Sequence, residues 1–250
     1  MLVTIAMPAY DEAPNLERVA TEALDALASS GADGELFIVD DGSTDGTSVI
    51  ADRLASRDPR VRVAHHAMNR GFSGAMTTSL REARGDWVFL VPADGQIQMS
   101  DLGRFLAARA DADIVVGVRA FRADHTGRAV LSRAFHMIAK TLFPLPLAEF
   151  SSTFLFRRAI VDAMPIRSRP SGASFLPEVL YRAKVRGGRF VQLTIAPRPR
   201  MGGRAKGARI GGALRTLTEL VRLAPLVRWD EFRYARRARA SAAIASRSAR

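Results

Sequence analysis

The chain contains no cysteine. That excludes a disulfide framework, a thiolate metal site and a cysteine nucleophile. Lysine is scarce: Lys140, Lys184 and Lys206 are all there are, so arginine carries the positive charge. No apolar run reaches the roughly 18 uncharged residues that a bilayer-spanning helix needs. Met1 to Pro8 lack a basic segment ahead of their apolar run, so they do not read as a secretory signal, and the chain is expected in the cytoplasm. No G-x-G-x-x-G follows the first apolar run and no G-x-x-x-x-G-K-[ST] occurs, which excludes the dinucleotide fingerprint and the P-loop. The histidines form no ligand cluster. His65 and His66 read as strand-edge residues, and His125 and His136 as no more than that.

What is present fits an ordinary folded protein. Its 250 residues are 48% hydrophobic and 25% charged, enough for one large domain with a real core. The net charge is +12, and it is unevenly spread. The first hundred residues are acidic. Beyond Arg182 a long series of arginines faces only Glu219, Asp230 and Glu231. Such a surplus attracts polyanions: nucleic acid, nucleotide phosphates or an anionic membrane face. A nucleic-acid reading wants aromatics interleaved with the basic residues, and the tail offers only Trp229, Phe232 and Tyr234. We expect no nucleic-acid partner.

Apolar runs at 2–7, 35–39, 61–64, 87–91 and 114–118 read as buried strands. Helical spacing fills the intervals at 12–29, 45–54, 71–84 and 100–110, the last with Ser100 as N-cap. Strands and helices thus alternate, which predicts an α/β fold: a mostly parallel sheet flanked by helices. Ser151–Phe156 and Arg189–Ile195 read as further strands and Phe175–Arg186 as a helix. Residues 129–148 are strongly apolar and read either as a buried helix or as a membrane-facing surface. Residues 210–228 form an amphipathic helix containing Pro225, and the basic, low-complexity residues after it read as frayed. We divide the chain into a domain over 1–206 and an amphipathic helix with a basic tail over 207–250.

In parallel sheets ligands bind at the carboxyl ends of the strands, where this sequence places its polar clusters. Pro8-Ala9-Tyr10-Asp11-Glu12 follows the first strand, Asp40-Asp41-Gly42-Ser43-Thr44-Asp45 the second, Asp94-Gly95-Gln96 the fourth and Arg119 the fifth. Asp40 and Asp41 suit either an Asx turn capping the next helix or hydrogen bonds to a nucleobase or ribose. Asp94 with Gln96 suits a hard divalent cation, Mg²⁺ or Mn²⁺, which needs few protein oxygens beside water and phosphate. The basic Gly-rich stretch Arg198–Lys206 suits either a diphosphate or plain solvation.

The order and spacing of these clusters resemble the family 2 glycosyltransferases and their GT-A fold. The resemblance rests on Met7–Glu12, on Val39–Thr47, on Asn69-Arg70-Gly71 with Gly74 and Ala75, on Gly85-Asp86 and on Ala93–Gln96. It covers roughly residues 3–206. Within that family the D-G-Q ending, Gly117-Val118-Arg119 and the late Arg/Lys loop look most like the polyprenyl-phosphate hexosyltransferases.

The resemblance implies roles. Pro8, Ala9, Tyr10, Glu12, Asp40 and Asp41 would bind the nucleotide. Asp94 and Gln96 would hold the cation. Arg119, Arg133, Arg200, Arg204 and Lys206 would meet the diphosphate or the acceptor phosphate. The implied reaction is inverting transfer of a hexose from a nucleoside-diphosphate sugar to a polyprenyl phosphate. From the residues themselves we expect peripheral binding to the inner face of an anionic membrane through the 210–228 helix, with Leu214, Leu217 and Val221 on one face, the 129–148 segment and the Arg-rich tail. A hydroxyl acceptor would instead need a carboxylate base, Glu149 or Glu178. A third reading is a nucleotide-sugar binder without catalysis. Two departures from the family pattern stand out: Asp11 replaces its usual Asn, and Pro92 replaces the first carboxylate of D-x-D.

Overall fold

The computed structural model describes residues 1–119, 137–148, 153–162, 164–169, 174–199 and 210–248; in the last stretch its side chains are described from 216 to 237. The strands are β1 (Leu2–Ala9), β2 (Asp33–Asp40), β3 (Val61–His65), β4 (Trp87–Leu90), β5 (Ile114–Arg119), β6 (Phe154–Arg157) and β7 (Phe190–Ile195). The helices are α1 (Ala13–Ser30), α2 (Thr47–Arg57), α3 (Phe72–Arg81), α4 (Leu102–Ala108), α5 over residues 137–142, α6 (Arg158–Asp162), α7 (Phe175–Val185) and α8 (Ile210–Ser248). A short 3₁₀ turn, Met99–Asp101, leads into α4, so Asp101 and not Ser100 stands at the α4 N-cap position.

One seven-stranded sheet runs in the order β3-β2-β1-β4-β6-β5-β7. β3, β2, β1 and β4 are parallel to one another, and β5 is parallel to β7. β6 pairs antiparallel with both β4 and β5, so β5 points the same way as β4. The carboxyl ends of six strands therefore lie at one edge, as the alternating pattern predicts.

The sheet divides two apolar clusters. One gathers Leu16, Val19, Ala23 and Leu27 of α1 with Phe105 of α4 against Ile5, Leu36 and Phe89. The other gathers Met76 and Leu80 of α3, Val179 and Leu180 of α7 and Leu220, Leu223 and Val227 of α8 against Val88, Val116 and Phe154. Burial on both faces explains why the strands read as continuous apolar runs. In α1, Pro14 in the first turn and Gly31 at φ 64° set the start and stop.

At the opposite sheet edge, Gly85 N donates to Thr4 Oγ1 at 2.8 Å and Asp86 exchanges hydrogen bonds with Leu2. Gly85-Asp86 thus closes the entry to β4, away from the polar clusters.

Residues 129–136 lie outside the described residues. In the rest of that apolar segment Ala139, Phe143, Leu145 and Leu147 are buried in the second cluster, so this part is core. The C-terminal segment departs from expectation. α8 continues as one helix to Ser248, with Pro225 inside it and the basic tail helical. Ala and Arg are among the strongest helix formers, which outweighs the low complexity of the tail.

Candidate active site

The crevice at the strand ends is built by hydrogen bonds between loops. Asp11 has φ 46°, a left-handed conformation that Asn and Asp tolerate best. Its Oδ1 accepts from Thr44 N at 2.8 Å, and its own N–H donates to Ser43 Oγ at 2.9 Å. Asn and Asp share both properties, so the exchange at this position is conservative. Asp45 serves two helices. Its Oδ2 accepts from Ala13 N at the start of α1, and its Oδ1 from Thr47 N and Oγ1 at the start of α2. Thr47 Oγ1 in turn accepts from Glu12 N at 2.8 Å, and the buried Glu12 carboxylate accepts from Asn15 Nδ2. Helix α2 thus starts at Thr47 behind Gly46, with Asp45 acting as the capping carboxylate.

Asp40 and Asp41 are both buried, and they face opposite sides of the sheet. Asp40 Oδ1 accepts from Ser43 N, and Oδ2 from Ser48 Oγ at 2.6 Å and His65 Nδ1 at 2.9 Å. His65 Nε2 reaches Asp52 on α2. Burial alone would raise the Asp40 pKa, but the hydrogen bonds from Ser43, Ser48 and His65 outweigh it and hold the carboxyl below its ordinary value. The bond to Asp40 raises the His65 pKa against partial burial. Asp41 Oδ1 lies 2.6 Å from His66 Nδ1 and accepts from Arg70 N; Oδ2 accepts from Gly71 N at 2.9 Å. His66 Nε2 lies 2.9 Å from Thr78 Oγ1 on α3. The two histidines are therefore partners of the two aspartates, a role that strand-edge readings missed.

The fourth cluster leaves β4 beside the first. Val91 N and Ala93 N donate to Ala6 and Pro8, carrying the chain alongside β1. Asp94 Oδ1 accepts from Gln96 N at 3.1 Å across a turn in which Gly95 has φ 71°. That positive φ is what asks for glycine here; a Cβ would clash only with the movable Arg18 guanidinium. Arg18 Nη1 bonds Glu22, and Glu22 bonds Arg198 Nη1 at 3.0 and 3.1 Å. Arg198 N donates to Gln96 O at 2.8 Å, and Gln98 Nε2 to Ala196 O. The chain that leads into the basic stretch 200–206 is thereby tied to the D-G-Q turn.

The structure thus brings Pro8, Ala9, Tyr10, Glu12, Asp40, Asp41, Asp94 and Gln96 to one edge of the sheet, at the ends of β1, β2 and β4. Arg119 ends β5 at the same edge, two strand positions from β4. Arg133, Glu149, Arg200, Arg204 and Lys206 lie outside the described residues. Glu178 does not belong here. It is fully buried in α7 and accepts from Arg167 N, Ser168 N and Arg182 Nε, so it is not available as a base. Among the described residues no three acidic or histidine side chains converge as a metal cage. A cation here would rest on few protein oxygens.

Sequence comparison assigns residues 4–165 to the family described as Glycosyl transferase family 2. The chain belongs to that family. It is a glycosyltransferase of the GT-A fold, as the family resemblance implies. An undecaprenyl-phosphate mannosyltransferase of Micrococcus luteus is 29% identical over 93% of this chain and 98% of its own length. A dolichol-phosphate mannosyltransferase of Pyrococcus furiosus is 27% identical over 89% of this chain, which spans 64% of that longer relative. Among solved structures, glucosyl-3-phosphoglycerate synthase from Mycobacterium tuberculosis, in complex with Mn²⁺, UDP-glucose and phosphoglyceric acid, superposes with a TM-score of 0.67 at 19% identity. That match covers 89% of this chain and 79% of the other. At that identity the likeness concerns the fold.

Proposed function

We propose that this glycosyltransferase moves a hexose, with inversion, from a nucleoside-diphosphate sugar to a polyprenyl phosphate. The observation that carries the reading is the near full-length likeness to the Micrococcus luteus enzyme, which is named for that acceptor class. The nucleoside end of the donor lies against Pro8–Glu12 and the Asp40–Asp41 loop, and the diphosphate against Asp94 and Gln96. Arg119, Arg133, Arg200, Arg204 and Lys206 supply positive charge around the two phosphate groups. A divalent cation, Mg²⁺ or Mn²⁺, fits this donor set, because such ions take one or two carboxylates and complete their shell with water and phosphate. Asp94 and Gln96 would hold it, and it would neutralise charge on the leaving diphosphate.

A lipid-phosphate oxygen attacks the anomeric carbon from the face opposite the diphosphate. The anomeric C–O bond breaks and its electron pair leaves on the nucleoside diphosphate. The acceptor is already an anion, so the step needs no general base. This agrees with the burial of Glu178. Glu149 stays the candidate base for a hydroxyl acceptor. Incubating the enzyme with a panel of nucleotide sugars and a short polyprenyl phosphate in detergent tests the reading. Sugar recovered in the lipid fraction is expected; transfer to soluble hydroxyl acceptors alone would overturn it.

The same reading puts the enzyme at the inner membrane face, bound peripherally. Support comes from the outer side of α8. Val221, Leu226, Trp229 and Phe232 are more than half exposed there, and the Trp229 and Phe232 rings stack at 5.8 Å. Arg222, Arg233, Arg236 and Arg237 are exposed on the same side at helical spacing. Exposed apolar side chains framed by arginine match a helix lying in the headgroup region. Leu217 is half-buried and Leu214 lies outside the described side chains, so among the described residues this face centres on Leu226, Trp229 and Phe232. Each basic residue near an anionic surface adds about 1 kcal/mol. Co-sedimentation with phosphatidylglycerol-containing vesicles should therefore fall with salt and fall several-fold in Trp229→Ala/Phe232→Ala. These substitutions spare the core, whereas deleting all of α8 would remove Leu220, Leu223 and Val227 from it. Absence of vesicle binding at low salt would overturn the membrane placement.

A further inference from the structure

We infer that His66 is a positioning residue for the donor nucleoside, acting through Asp41. The inference rests on the proposed function above, in which the Asp40–Asp41 loop meets the nucleoside.

Asp41 follows β2 and its backbone N–H donates to Ala9 O at 2.8 Å, so its main chain is fixed to the end of β1. Its carboxylate faces the α3 side. There it gathers the His66 ring and the amides of Arg70 and Gly71, which close the connection between β3 and α3. His66 is itself held at three points: its N–H donates to Asp40 O at 2.9 Å, Nδ1 faces Asp41 and Nε2 faces Thr78. Its side chain is only 6% exposed, so water does not compete for these bonds. Met68 and Asn69 lie against Gly42, where a Cβ would come within 2.6 Å of their backbone. The 66–71 connection thus wraps the 40–42 turn, and the Asp41 carboxylate is the post around which it wraps.

The sheet makes this arrangement twice. Asp40 and His65 are register partners in parallel β2 and β3, so the next residues, Asp41 and His66, meet on the other face. The first pair anchors to α2 through Asp52 and Ser48, the second to α3 through Thr78. The second pair holds the two backbone amides of Arg70 and Gly71 next to the proposed nucleoside pocket, whereas Asp40 of the first pair takes the amide of Ser43 within its own loop. Removing the imidazole leaves Asp41 with two amide donors and an open side, free to rotate away from them. The expected consequence is a poorly formed nucleoside pocket with the phosphate chemistry untouched.

His66→Leu should raise the donor KM, and the Kd for free nucleoside diphosphate, by about tenfold, with kcat within two- to threefold of wild type. His66→Asn keeps a donor near the Nδ1 position and should recover most of the affinity. Amide hydrogen exchange at Arg70 and Gly71 should quicken in His66→Leu without ligand and stay slow in His66→Asn. The inference is overturned by unchanged nucleotide affinity in His66→Leu, by a loss confined to kcat, or by His66→Asn behaving like His66→Leu. Wild-type enzyme that binds no nucleoside diphosphate in the same titration would instead overturn the functional reading of the site.

Discussion

Asp94→Ala is expected to lose transfer by about 10²–10³-fold or more, the scale seen when one preorganised electrostatic group is removed from a site where charge develops. Its carboxylate is the acidic group of the D-G-Q turn, and Pro92 leaves no second carboxylate two residues earlier to share the load. The fold should survive. Asp94 Oδ1 accepts a turn hydrogen bond from Gln96 N, and losing it costs about 0.5–1.5 kcal/mol. In a chain this size each kcal/mol shifts Tm by about 2–4 °C. Near wild-type turnover with saturating Mg²⁺ or Mn²⁺ would refute the role. Pro92→Asp offers the reverse test. Pro92 stands between Val91 and Ala93, whose N–H groups make the bonds to β1, so the exchange disturbs neither bond. It should tighten metal binding and lower the metal concentration needed for half-maximal rate.

The sheet was legible because burial on both faces leaves a simple signature, and five apolar runs with polar ends suffice to predict parallel strands. The direction of β6 was not legible. A four-residue run carries no mark of polarity, and β6 takes its antiparallel direction from its pairing with β4 and β5 on its two sides. The helical tail of α8 is hidden for a different reason: its composition is of low complexity, yet Ala and Arg have strong helix propensity.

At the site, the carboxylates were legible and their partners were not. Asp40 and Asp41 stand out beside Gly42, whereas His65 and His66 sit 25 positions later and gain meaning only through the β2–β3 register. A signal did exist: two acids end one strand and two histidines end the next. In adjacent parallel strands, consecutive residues at matched ends face one another pairwise. The Asp11 exchange is legible in the sequence, but the reason either residue serves there, a left-handed backbone angle, is visible only in the fold.

Arg182→Ala should be the most destabilising single change outside the apolar core, by about 3–5 kcal/mol, the cost of breaking a buried ion pair from one side. Arg182 is fully buried on α7. Its guanidinium donates to Glu178 at 2.9 Å, to Glu231 at 2.7 Å and to Asp230 at 3.1 Å, so one side chain joins α7 to α8. Arg186 bonds the other Glu231 oxygen, and Arg167 bonds Asp230, which balances three acids with three arginines. Burial would depress the Arg182 pKa, but Glu178, Glu231 and Asp230 raise it, so the charge stays. Truncation would leave Glu178 and Glu231 buried without their shared cation. Arg182→Lys keeps the charge but not the planar fork that meets three acceptors, so it should fall between wild type and Arg182→Ala. Acid should act through the same cluster. Burial would raise the Asp230 pKa, yet Arg167 and Arg182 hold it below its ordinary value. The stability it supplies is therefore present above about pH 4 and lost as pH falls through the depressed folded value. Urea unfolding at neutral pH measures the first effect and a pH series the second. A loss under about 1 kcal/mol in Arg182→Ala would mean that apolar contacts alone, through Leu220, Leu223 and Val227, hold α8 to the domain.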